Sequence, residues 1–196
     1  MIMSRHRLAL LPCVLLLVTG CGSSPKRNFY ALPTPPPARE SGGAPARPVV
    51  EIGALTLPEL VDRAQIVARQ SDTRLEISDA HRWAEPLKSA IATTLAAYLS
   101  RELGGAPVYV QGQSTAREPD LRLSLDMLRF ESVLHEAALV EAVWMLRRKE
   151  EDRPIRGRSV VRETVQGEGY EALVAAHGRA LSRLAHEIAM AIRAGS

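Results

Sequence analysis

Cysteine is nearly missing from this chain: 196 residues contain two, Cys13 and Cys21, both close to the N-terminus. Any domain that follows them has no internal disulfide, even in an oxidising compartment, so packing must carry its stability. Long apolar runs are missing too. The longest, residues 8–18, has 11 residues and is interrupted by Pro12, whereas a membrane-spanning helix needs about 20. The chain has no Walker loop and no GxSxG elbow, so nucleophilic catalysis lacks a candidate. His186-Glu187 opens like the zinc-protease HExxH motif, but Met190 stands where the second histidine belongs, and His135-Glu136 fails in the same way at Leu139. His177 and His186 are nine residues apart, on opposite faces of one helix, and His81 is isolated. No metal and no cofactor is expected.

The N-terminus is richer. Arg5, His6 and Arg7 precede the apolar run, which ends in Val18-Thr19-Gly20-Cys21. A short basic region, an apolar core of this length and small residues before a cysteine form a signal peptide with a lipobox. The small residues admit the peptidase, and the Cys21 thiol receives the lipid. Residues 1–20 are therefore expected to leave as a signal peptide, and Cys21 is the lipidation site. Bacterial lipoproteins typically carry three acyl chains, which makes anchoring effectively permanent. Gly22, in place of an inner-membrane-retaining Asp, favours the outer membrane. Cleavage removes Arg5 and Arg7 and lowers the basic count from 25 to 23 against 22 acidic residues. The mature chain is thus near neutral, and nucleic acid is not expected as a partner.

Residues 21–48 read as a lipidated tether, with Pro25, Pro33, Pro35, Pro36, Pro37, Pro45 and Pro48 among small polar residues. Such composition favours extended, solvated chain of roughly 3 Å per residue, a reach of tens of ångströms. Asn28-Phe29-Tyr30-Ala31-Leu32 interrupts it with a patch suited to docking on the domain or on a partner. Residues 49–196 form one domain. Strands are predicted at 49–53, 65–70, 74–78, 108–111, 121–127, 137–146 and 159–165. Residues 65–78 form a hairpin around Ser71-Asp72. Leu121, Leu123, Leu125 and Met127 alternate with polar residues, as in a strand buried on one face. Residues 137–146, apolar at nearly every position, read as a central strand covered on both faces. Helices are predicted at 84–103, with Leu87, Ile91, Leu95, Tyr98 and Leu103 on one stripe, and at 170–192, with Leu173, His177, Leu181, Leu184, Ile188 and Ile192. Pro86 fits the first turn, and Gly104-Gly105 ends the helix. The fold class is α/β, a mixed sheet of about five to seven strands with two long helices packed on it.

Two further features have bland and sharp readings. Gly167-Glu168-Gly169-Tyr170-Glu171-Ala172 matches GxGxxG/A, but no strand follows its helix, so it reads as a turn. Arg147, Arg148, Lys149, Arg153, Arg156, Arg158 and Arg162 form the densest basic stretch. Either it is a solvated hairpin, with Glu150, Glu151 and Asp152 among the bases, or it contacts lipid phosphates or an acidic partner.

Leu57-Pro58-Glu59-Leu60-Val61-Asp62-Arg63-Ala64-Gln65-Ile66-Val67-Ala68-Arg69 resembles the LPxxLDRPQIVxR segment of the PqiC/YmbA-type lipoproteins, the auxiliary lipoproteins of MCE-type ABC transport systems. His81-Arg82-Trp83-Ala84-Glu85-Pro86-Leu87 resembles that family's RWAEPL segment, Phe29-Tyr30-Ala31-Leu32 its FYxL segment, and Trp144 its late tryptophan. Ala64 departs from the pattern, which often has proline there. The resemblance implies a non-enzymatic role in moving lipid between membranes. The implied partners are an MCE-type protein and the inner-membrane permease and ATPase of the same system, and the domain would face the periplasm from the outer membrane. A homo-oligomer stays open. It marks Pro58, Asp62, Arg63, Gln65, Arg69, Arg82, Trp83 and Pro86 as motif residues, either holding the hairpin against the first helix or binding a partner. A lipid-binding carrier and a periplasmic hydrolase are the rival readings.

Cys21→Ala should abolish lipid attachment and leave the uncleaved precursor. Metabolic labelling with a fatty acid checks this, and label retained by the mutant would refute the lipobox.

Overall fold

The computed structural model describes residues 26–36, 47–113, 118–149 and 153–195. Cys21 and residues 1–20, expected to leave as a signal peptide, lie outside them. Among the described residues are eight strands in one mixed sheet and two helices. The strands are β1 (Asn28–Tyr30), β2 (Val50–Thr56), β3 (Gln65–Arg69), β4 (Leu75–Trp83), β5 (Val108–Val110), β6 (Leu121–Val133), β7 (Ala137–Arg148) and β8 (Ile155–Thr164); the helices are α1 (Leu87–Glu102) and α2 (Gly169–Ala194).

The longest strand organises the rest. β6 runs antiparallel to β7 from Leu121↔Arg148 to Val133↔Ala137, and β7 pairs with β8. The other edge of β6 is shared. Its first half pairs in parallel with β2, from Val50↔Leu121 to Thr56↔Asp126, and its far end meets β3 at Ala68↔Ser132. A bulge between Met127 and Arg129 separates the two halves, and bulges bend a strand and change its twist. β5 extends the β2 branch; β4 and β1 extend the β3 branch.

Both helices lie on one face of the sheet, and Leu95, Leu99, Leu123, Leu125, Leu181, Leu184 and Ile188 are among the residues of one continuous core there. The alternation predicted for β6 holds: Leu121, Leu123, Leu125 and Met127 are buried. So does the α2 stripe, all six of whose residues are buried. In α1, Leu87, Ile91, Leu95 and Tyr98 are buried and Leu103 is the C-cap. The helix starts at Leu87 rather than Ala84, because β4 continues to Trp83 and Pro86 occupies the N-cap.

Two expectations change. Strand β7 is covered by helix on one face only: Ala138, Val140, Ala142, Trp144 and Leu146 point to the core, while Val143 on the opposite face is exposed. Its apolar run misleads because that other face is itself partly apolar. Secondly, Asn28–Tyr30 is an edge strand of the sheet, parallel to β4 with Tyr30 opposite Trp83. Most of the stretch expected to be tether therefore follows the first strand rather than preceding the domain. Only residues 22–27 separate Cys21 from β1, a reach of about 25 Å at full extension.

Close approaches of backbone and ring explain two glycines. A Cβ on Gly157 would sit 2.1 Å from the Trp144 ring, and one on Gly178 of α2 would sit 2.2 Å from Pro33. Gly157 lets Trp144 lie flat across β8, where its indole N–H donates to Ser159 Oγ at 3.1 Å. Gly178 lets the chain leaving β1 run against α2.

Gly157→Val must push Trp144 off its seat and should cost about 1–3 kcal/mol, the usual range for overpacking. Chemical denaturation would show this as a lowered midpoint with an unchanged slope; an unchanged midpoint would refute the contact.

Candidate functional site

All three motif segments meet on the β3 branch. Trp83 N–H donates to the Ala64 carbonyl at 2.8 Å, and Ala84 N–H donates to the Tyr30 carbonyl at 2.8 Å. The second strand of the hairpin thus holds the Leu57-to-Arg69 segment on one side and β1 on the other.

Several motif side chains turn inward. Trp83 is buried, its ring edge-on to Phe130 and to His177, each with centroids 6.3 Å away. Arg69 pairs with Glu131 on β6 at 3.2 Å and donates to the Asp72 carbonyl at 3.1 Å, so one guanidinium ties the hairpin turn to the central strand. Gln65 and Arg82 are cross-strand partners. The Pro58 carbonyl accepts the N–H groups of Val61 and Asp62 at 3.0 and 3.2 Å, closing a tight turn. The Pro86 carbonyl accepts from Ala90 at 3.0 Å and starts α1. Asp62 and Pro86 are exposed and Arg63 is half-buried. With Trp83, these three line an open hollow at the junction of the turn and α1. The geometry therefore splits the motif into residues that hold the hairpin and residues that present a surface.

A second hollow lies on the other side of the same turn, between β3 and the bulged part of β6. It is a cleft of about 210 Å³, with Pro58, Leu60, Val61, Val67, Leu75 and Leu128 supplying apolar walls. Its existence follows from the shared edge of β6: β2 has ended and β3 has not yet joined, so residues 127–131 have no strand partner on that side.

Behind the cleft sits a polar pair that patterning did not reveal. Ser132 Oγ lies 2.8 Å from His177 Nε2, and both residues are buried. The His177 ring stacks on Phe130 with centroids 4.1 Å apart. A Ser–His contact invites a hydrolytic reading, but the details oppose it. His177 Nδ1 has no hydrogen-bond partner to orient the ring. Burial lowers the imidazole pKa to about 3, far from the near-neutral value useful to a general base. The pair holds α2 to β6.

The remaining histidines also bind neighbours. His81 Nδ1 lies 2.7 Å from Tyr30 Oη, and its ring stacks on Tyr170 at 3.8 Å. His135 meets Glu168 at 2.9 Å and His186 meets Glu102 at 2.8 Å. Among the described residues no three His, Cys, Asp or Glu side chains cluster as metal ligands would. Gly167 and Gly169 take positive φ at the turn before α2, consistent with a turn there.

The basic stretch divides between two faces. Arg156, Arg158 and Arg162 lie on the face of β8 away from the helices, opposite in sense to the buried Ser159, Val161 and Glu163. Arg158 and Arg129 both hold Glu141, whose side chain is 4% exposed against 64% and 45% for the two arginines. Hydrogen bonds from Arg158 and then Arg129 lower the Glu141 pKa. Glu51 lies under Arg122 in the same way, at 3.2 Å.

The described residues thus form two helices on a curled mixed sheet, with the motif segments joined through one hairpin. Residues 30–189 match the model of the ABC-type transport auxiliary lipoprotein component, and the chain belongs to that family. The chain is 25% identical over 181 residues to the intermembrane transport lipoprotein PqiC of Escherichia coli K12, covering 91% of this chain and 93% of that one. The PqiC protein of Shigella flexneri matches equally. Two crystal structures share the fold. One is of an uncharacterized protein, at TM-score 0.67 and 23% identity, covering 85% of this chain and 99% of that one. The other is of a Xanthomonas campestris protein, at TM-score 0.65 and 18% identity, covering 83% and 92%.

His177 also makes stability pH-dependent. Below pH 6.5 the unfolded chain takes up a proton that folded His177 refuses, so stability falls until pH about 3. By pH 5 this contributes a loss of about 2 kcal/mol. His177→Phe should flatten the dependence between pH 6.5 and 4 in denaturant titrations; a wild-type slope would show that His177 is not the group responsible.

Proposed function

We propose that this chain is an outer-membrane-anchored, periplasm-facing lipoprotein. In this reading it is a non-enzymatic docking subunit of an MCE-type ABC system for intermembrane lipid transport. The observation that carries the reading is the family match across residues 30–189, supported by the name of its PqiC relatives and by the lipobox at Cys21. Its partners would be the MCE-type protein and, through it, the permease and ATPase.

The fold refines how such a subunit would work. With β1 built into the sheet, six residues separate it from the lipidated cysteine. The domain would then stay close to its own membrane and receive the end of an assembly that crosses the periplasm. Docking is favoured over lipid carriage by the shape of the hollows, which at about 210, 330 and 420 Å³ are open depressions with charged side chains in their lining rather than an enclosed apolar cavity. Hydrolysis is disfavoured by the geometry of Ser132 and His177.

Two measurements test the reading. The wild-type lipoprotein, solubilised in detergent, should co-purify with an MCE-type protein of the same cell, and its deletion should sensitise cells to detergent. Gly22→Asp, in a host that sorts by this residue, should move the protein to inner-membrane fractions, keep co-purification and lose protection. Full protection from the inner membrane would overturn the anchoring; no co-purification would overturn the docking role.

A further inference from the structure

Among the described residues no helix covers the second face of the sheet, and its composition is unusual in one respect. Two of its carboxylates lie buried beneath exposed arginines. Glu141 is buried beneath Arg129 and Arg158, and Glu51, 11% exposed, lies beneath Arg122 at 59%. Arg156 and Arg162 add exposed guanidinium groups on β8. Asp126, beside Thr56 at the end of β2, is an exposed carboxylate on this face, Arg162 pairs with exposed Glu136, and Glu131 pairs with Arg69 at the cleft. A partner meeting the face touches mostly positive charge, although the mature chain as a whole is near neutral.

Apolar side chains stand exposed in the same layer. Leu60 and Leu128 flank the cleft at 43% and 48% exposure, and Ile77, Val143 and Val160 lie on the same side of the sheet. Exposed apolar groups inside a polar rim are the composition of a docking surface rather than of ordinary solvated sheet.

We propose that this face, with the cleft between β3 and β6 as its anchor point, docks an acidic peptide segment of a partner protein that inserts one large apolar side chain. This rests on the docking role proposed above and specifies where and how it is met. Three observations select a peptide. The cleft of about 210 Å³ matches a single ring, since a cavity of about 150 Å³ accepts a benzene. Residues 127–131 of β6 have no strand partner beside it, and peptide groups at the cleft mouth are answered by another backbone, not by an acyl chain. The outward layer of arginine complements carboxylate side chains, and such complementarity sets orientation and encounter rate.

The test uses the full lipidated chain in detergent micelles. Labelled overlapping peptides that span the periplasmic part of an MCE-type protein of the same organism are titrated against it, beside vesicles of phosphatidylglycerol. At least one acidic peptide with a large apolar residue should bind, more weakly as salt rises. Leu60→Glu and Leu128→Glu should each weaken it about tenfold or more, as loss of an anchor does. Arg156→Glu should weaken it less and flatten the salt dependence. Met190→Glu, on an exposed part of α2, should leave binding unchanged. Melting temperatures of all variants show that the fold survives. Equal binding by wild type and Leu128→Glu overturns the proposal. So does binding to the vesicles alone, which would make this face a membrane contact. Co-purification of the whole MCE-type protein without any peptide binding overturns the proposal but leaves the docking role intact; absence of both removes the docking role itself.

Discussion

Strand β6 has two edges and three strand partners, and the way it satisfies them places nearly everything else. One edge is filled along its length by β7. The other is divided between β2 and β3, which approach from the same direction but cannot occupy the same stretch. The bulge after Met127 turns the second half of β6 so that β3 can join where β2 has stopped. The family motif fills the interval: residues 57–64 carry the chain from one parallel strand to the next. A proline turn, an exposed tip and the half-buried Arg63 make up that short passage. The cleft is the space left by the handover.

On the core face the same strand supports the helices by ordinary burial. Leu121, Leu123 and Leu125 lie beneath α1 and α2, and the core continues without a break between branches. At the far end, leucine gives way to Phe130 and Ser132, and the packing becomes specific. His177 stacks on the one, bonds to the other, and stands edge-on to Trp83. A neutral imidazole is costly to bury, and half of its hydrogen-bonding capacity is unused. What it supplies is a fixed register among α2, β6 and the end of β4, the three elements that must agree for the motif hairpin to sit correctly.

Much of this was legible in the sequence because burial imposes a period. The β6 alternation, the α2 stripe and the hairpin around Ser71-Asp72 are each long enough to show theirs. Two things hid the rest. Asn28–Tyr30 is a strand of three residues, too short for any period, embedded among prolines that argue for solvated chain. The apolar run in β7 mimics a strand buried twice, although one side of it faces outward with Glu141 held under arginines. For the site, Trp83 and Arg69 were visible only through the resemblance to a family. Ser132 and His177 are 45 residues apart, and no local spacing announces a contact made by the closing of the sheet.

The first strand has a consequence for the order in which the molecule can be built. It pairs with β4, about fifty residues later, and the chain leaving it rests on Gly178 of the last helix. A chain built from its N-terminus delivers β1 first and its final contacts last. Contacts so distant in sequence are slow to form because the intervening loop must close before they give anything back. The chain leaving β1 therefore lacks its packing on Gly178 until α2 has arrived, and a chain shortened at its C-terminus would keep the pairing with β4 while losing that packing. Such a product would hold its first strand by the β4 edge alone and expose it to proteolysis. Completeness of the last helix is thus registered at the first strand.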